Sequence, residues 1–239
     1  LEFRRVLFRS PRQESIISGW VLRMFQTVSI VAFLVTFVGI AIHWILTPAG
    51  GPRCPVSGGI HVFSLLLIEQ RSSFLGALKK LCYLVAVFCF LVLAITGFYP
   101  TLVKGTNISG FLMYIHATFA PVFALCLAIL GLTWAGGHRF VASDCPWLTR
   151  LLRRVTRLRL PADDRGWCCS FVVYKLTFWM ILFLALPLIL SIVVSMFHLL
   201  GTDWQRLTLA THRWTSLVFA IVVIIHTYLA VRLRMSHRM

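Results

Sequence analysis

The chain has 239 residues, of which 59% are hydrophobic and only 13% charged, with a formal net charge of +16. Apolar residues gathered into runs this long exclude an ordinary water-soluble domain. Arg and Lys beside such runs mark the cytoplasmic face and anionic lipid, so nucleic acid is not expected as a partner.

Crossing ~30 Å of hydrocarbon at ~1.5 Å per residue takes about 20 apolar residues in a helix. Five such spans are predicted, at roughly 20–46, 81–101, 109–135, 171–199 and 207–231. The fold expected is an all-α integral membrane protein, with the last four helices forming a bundle. Residues 1–19 precede the first span. Their opening, "LEFRRVLFRS", has no initiator Met and reads as a cloning or assembly remnant or the edge of a truncation. The additional helix 20–46 and the cytoplasmic connection 47–80 then lead into a four-helix membrane domain at 81–239.

Charge sets the orientation. The segment 135–170 carries seven arginines, the tail beyond 231 carries three, and 47–80 carries two Arg and two Lys. With these three segments cytoplasmic, the connections 102–108 and 200–206, holding one basic residue each, lie outside with the N-terminus. Within the longest loop, Leu148, Leu151, Leu152, Val155 and Leu158 recur at helical spacing opposite Arg150, Arg153, Arg154 and Arg157, which predicts a helix lying on the membrane surface. Cys54, Cys145, Cys168 and Cys169 fall on the reducing side, where structural disulfides are not expected. Pro121 and Pro187 interrupt two spans and favour bends.

The chemistry lies in the histidines. His212 and His226 stand fourteen residues apart on one span. At ~100° per residue that is within ~40° of whole turns, with a rise of ~21 Å, so both rings share a face at different depths. Such a separation suits two haems stacked across a membrane, each taking one axial ligand from this helix. His116, in "IHATFAPVFA", starts from the same side and reaches the depth of His212. Near the inner surface His43, in "GIAIHWILTP", is the candidate to face His226, with His61 a weaker one. Arg213 is placed either to pair with a haem propionate or to reach the outer headgroups. His198, His138 and His237 read as interfacial or solvated residues. A histidine in a span can also serve as an interhelical hydrogen-bond donor or in a proton path.

Residues 81–233, about 150 in all, resemble the bacterial respiratory cytochrome b subunits, typified by the formate dehydrogenase gamma subunit and the nickel–iron hydrogenase cytochrome b subunit. The resemblance rests on "FLVLAITGFYP", "IHATFAPVFA", "YKLTFW" and "THRWTSLVFAIVVIIHTYLA". It implies a four-helix core holding two b haems and moving electrons between a quinone and a partner redox subunit. It also implies that His116 and His212 ligate the outer haem and that His226 ligates the inner one. The family's first core helix supplies the second inner ligand, but this chain has "KKLCYLVAV" there, with Cys82 and Tyr83 and no histidine. Either His43 substitutes, or the inner haem is absent or differently ligated. The Asn and Gln that the gamma subunits place before "YKLTFW" are also missing, which leaves Tyr174 and Lys175 as candidate quinone contacts.

The expected function is that of a b-type cytochrome subunit in a respiratory complex of the bacterial cytoplasmic membrane. It would bind one or two b haems and pass electrons between the quinone pool and a dehydrogenase, hydrogenase or multihaem cytochrome. No general acid/base pair, nucleophile triad or phosphate loop suggests a stand-alone enzyme. The alternatives are a small histidine-containing transporter or channel, and a haem-free anchor subunit.

Overall fold

Backbone amides in hydrocarbon find no water to bond, so an apolar run satisfies its own donors and acceptors as a helix. The computed structural model describes residues 11–46, 74–140, 168–196 and 201–236, and all the regular structure in them is helical. The elements are α1 (Pro11–Leu46), α2 (Phe74–Lys104), α3 (Gly110–Trp134), α4 (Cys168–Met196) and α5 (Gly201–Ser236). Each contains a stretch long and apolar enough to cross a membrane, and the chain is a multi-pass membrane protein. Residues 1–10, the amphipathic segment 148–158, Cys54, Cys145, His61, His198 and His237 lie outside the described residues, as do the side chains of Cys168 and Cys169.

Hydropathy locates the five crossings but shortens the helices. Helix α1 already begins at Pro11, α2 at Phe74, and α5 runs from Gly201 to Ser236. The reason is that backbone hydrogen bonding continues into the headgroup layer, where long polar side chains such as Lys79 and Lys80 reach water while their stems stay apolar. Pro100 lies within α2, which continues to Lys104, past the end near 101 expected from hydropathy. So near a helix end, proline removes only one ladder bond. Closure comes afterwards, where Gly105 adopts φ +61 and the Thr106 N–H donates to the Pro100 carbonyl at 3.1 Å.

Sequential helices pack as two antiparallel hairpins, α2/α3 and α4/α5. Small side chains let the first close: Cys82, Ala86, Cys126 and Leu130 form its seam, and the Cys82 thiol donates to the Cys126 carbonyl at 3.6 Å. In the second, Ile181 and Ala185 of α4 pack against Phe219 and Val222 of α5. Between the hairpins contact is sparser and is made largely by aromatic rings. Phe90, Phe123 and Phe219 meet at centroid distances of 6.0–6.3 Å, halfway down the bundle.

Helix α1 lies outside the four, against α2 and α5. It is fastened at three depths. Gln26 donates to the Leu102 carbonyl at 3.0 Å, Phe33 meets Phe98 edge-on at 5.2 Å, and His43 bonds Tyr228. The first of these satisfies a carbonyl in the last turn of α2, a group that has no partner within its own helix.

Gly131 of α3 lies close against α4, since a Cβ there would lie 2.8 Å from Leu182 Cδ2, whereas nothing lies within 4 Å of one at Gly39. Overpacking costs about 1–3 kcal/mol, and ~1 kcal/mol moves the melting point of a chain this size by roughly 2–4 °C. Gly131→Val is expected to melt several degrees lower in detergent, and Gly39→Val to match the parent. Equal melting of all three proteins would contradict this packing.

Candidate functional site

An imidazole in a span must be hydrogen-bonded or ligated, because hydrocarbon solvates neither ring nitrogen. His116, on α3, has Nδ1 3.0 Å from Thr96 Oγ1 of α2. That hydroxyl has a single proton, which it already donates to the Val92 carbonyl at 2.7 Å, with Leu93 O at 3.3 Å. Thr96 therefore accepts, His116 donates from Nδ1, and the remaining lone pair lies on Nε2. His212, on α5, reaches the same state by a simpler route, as its Nδ1 is 3.0 Å from the Leu188 carbonyl, which can only accept.

His226 repeats the threonine device on the inner half of α5. Its Nδ1 lies 2.9 Å from Thr177 Oγ1, whose proton goes to the Tyr174 carbonyl at 2.9 Å. The Tyr174 ring stacks on the imidazole with centroids 4.6 Å apart and planes 11° apart. All three histidines thus present an unprotonated Nε2, the form that binds a metal, with the other nitrogen oriented by a fixed acceptor.

The outer pair is brought together as the sequence suggests. The ring centroids of His116 and His212 are 6.4 Å apart and their planes cross at 77°. A metal about 2.0 Å from each nitrogen, with each nitrogen about 1.1 Å from its ring centre, would set the centroids roughly 6.2 Å apart. The observed ring spacing is close to that value. Gly97 makes room for the first, since a Cβ there would lie 3.3 Å from His116 Cε1. Among the described residues no cluster of three or more His, Cys, Asp or Glu offers a different, many-ligand metal site.

His226 and His43 are not brought together. His43 Nδ1 lies 2.6 Å from the Tyr228 hydroxyl and 3.4 Å from Arg232 Nη1, and Arg232 also donates to that hydroxyl at 3.0 Å. Arginine can only donate, so His43 Nδ1 accepts and its proton is on Nε2. The ring sits on the exposed edge of α1 and fastens that helix to α5. Residue 228 is two positions beyond 226, about 200° around the helix.

His226 instead lines a cavity of about 720 Å³ between the two hairpins, on the inner half of the bundle. This volume falls in the ~300–1,000 Å³ range of small-molecule and cofactor pockets. Phe90, Phe123 and Phe219 line it as well, as do Lys79 and Lys80 near the start of α2. Tyr174 also belongs to its wall. Lys175 does not, and its buried ammonium donates to the Arg139 carbonyl at 2.8 Å.

No protein-family profile matches the chain, and no characterised protein matches its sequence. The functional reading therefore rests on the residues themselves.

Arg213 donates to Asn107 Oδ1 at 2.8 Å, linking the outer end of α5 to the α2–α3 connection. His138, expected to be solvated, is instead stacked on Phe178 at 3.9 Å, with Nδ1 2.9 Å from the Trp134 carbonyl. The turn that carries it is held on α4, because Trp179 Nε1 donates to the His138 carbonyl at 2.9 Å. Sequence reasoning also missed Thr96 and Thr177. Each lies in an apolar run and could have been suspected as a hydroxyl that only an interhelical partner would justify.

The tautomers give a test that needs no metal. In metal-free protein labelled with ¹⁵N-histidine, nitrogen shifts are expected to show Nδ1–H at His116, His212 and His226, and Nε2–H at His43. A proton on Nε2 of His116 or His212 would contradict the hydrogen-bond pattern.

Proposed function

We propose that this protein is a membrane-embedded b-type cytochrome that passes electrons between a quinone and a partner redox subunit. His116 and His212 hold one haem in the outer half of the bundle, and the cavity beside His226 takes a second. The observation that carries the reading is the outer pair: two unprotonated Nε2 atoms from different hairpins, with ring centres at the spacing one iron requires.

When bound, haem supplies one-electron chemistry that no side chain here provides. The protein's own residues do the rest. Thr96 and the Leu188 carbonyl fix the ring orientations, and the Phe90–Phe123–Phe219 layer separates the two levels and excludes water. Helix α5 spaces His212 and His226 by a ~21 Å rise. Arg213 and the lysine pair Lys79 and Lys80 stand at opposite ends of the bundle, where propionate carboxylates would meet cations. Tyr174, on the cavity wall and stacked on His226, is the side chain placed to contact a quinone. His43 serves to dock α1.

The setting is a bacterial cytoplasmic membrane, with the arginine-rich segments inside. The partner is a dehydrogenase, hydrogenase or multihaem cytochrome.

The purified protein is expected to show sharp b-type bands in its reduced-minus-oxidised spectrum. His116→Ala and His212→Ala should each lose the outer haem. Thr96→Val should keep the fold but weaken haem retention about 10–100-fold, as loss of an outer hydrogen bond to a ligand histidine does. A folded but colourless preparation, or unchanged haem content in both histidine variants, would overturn the proposal and favour a histidine relay or a haem-free anchor.

A further inference from the structure

The inner cavity is unlike the outer pair in one respect. Among the described residues His226 is the single imidazole on its wall. The facing hairpin, α2/α3, contributes aliphatic and aromatic side chains with Lys79, Lys80 and Tyr83, and no histidine, methionine or cysteine.

Each nearby soft or imidazole donor is held away from the cavity. Cys82 is buried in the α2/α3 seam, its thiol directed to the Cys126 carbonyl. His43 is bonded to Tyr228 and Arg232 on the far side of α5. His138 has a buried Nε2 with no hydrogen-bond partner among the described residues, but its ring lies flat on Phe178 and outside the cavity lining. Tyr83 does face the cavity, with its ring packed against Trp134 at 5.5 Å. The lysines are ammonium donors in their charged form and have no lone pair to offer a metal.

We propose that the inner cavity holds its haem through His226 alone, leaving the iron face towards α2/α3 without a protein ligand and open to a small exogenous ligand such as carbon monoxide or cyanide. This inference rests on the haem reading above. It gives the two sites different chemistry: the outer one is closed by two imidazoles and suited to electron transfer only, whereas the inner one is high-spin and accessible. The cavity's volume of about 720 Å³ leaves space beside His226.

The test is carbon monoxide binding to the dithionite-reduced full chain, measured with haem stoichiometry. Two haems per chain are expected, with half of the total binding carbon monoxide within the mixing time. In His226→Ala the reactive half should disappear, and in His116→Ala all the remaining haem should react. Tyr83→Phe should leave the reactive fraction unchanged.

Two haems with no reactive fraction would overturn the inference and leave the cytochrome reading standing. One unreactive haem that survives His226→Ala would do the same, as would reactivity that persists in His226→Ala or arises only in Tyr83→Phe. A protein without haem would overturn the cytochrome reading itself.

Discussion

An imidazole placed in hydrocarbon has to be bonded at both nitrogens or carry a penalty of several kcal/mol for the unsatisfied one. In this bundle one nitrogen of each core histidine is satisfied in a way that fixes the other. Thr96 and Thr177 give their only protons to carbonyls of their own helices, a common habit of threonine in apolar helices. Each is thereby left as a pure acceptor across the interhelical gap. The Leu188 carbonyl does the same for His212. A lone pair on Nε2 follows in all three cases, and with it the capacity to bind iron. The proposed ligand set and the proposed difference between the two sites both depend on this arrangement.

The packing serves the same end. Were all four helices packed as closely as the partners within each hairpin, the bundle would have no room for a flat cofactor. Instead the seams are tight inside α2/α3 and α4/α5, where Ala86, Ala185 and cysteines allow close approach, and open between the hairpins. Three phenylalanines bridge that opening at mid-depth, separating the outer pair from the inner cavity. Among the described residues, helix α1 contributes none to the lining of the cavity beside His226. Most of its apolar side chains remain exposed on the outside of the bundle, in keeping with a surface that faces lipid.

Much of this was legible beforehand. The five crossings follow from run length alone, and the shared face of His212 and His226 from their fourteen-residue separation. The facing position of His116 came from counting depth along a span whose direction was inferred from the charge pattern. What could not be read depends on lateral contacts, which a single sequence does not encode. Nothing in "GIAIHWILTP" shows that α1 packs on the side of α5 that carries Tyr228, so His43 was matched to His226 by depth while the structure places it elsewhere. The burial of His138 is similar, since it depends on a turn folding back onto Trp179 and Lys175 of another helix. That "KKLCYLVAV" holds no histidine was visible in the letters, but only the structure shows that, among the described residues, the α2/α3 wall of the cavity beside His226 carries none.

The most direct measurement is low-temperature electron paramagnetic resonance of the oxidised protein. Axial imidazoles whose planes cross at 77° leave two iron orbitals nearly degenerate. A strongly anisotropic low-spin ferric signal is therefore expected, and it should vanish in both His116→Ala and His212→Ala. Absence of any low-spin signal from folded protein, or one that survives either substitution, would contradict a haem clasped by these two residues.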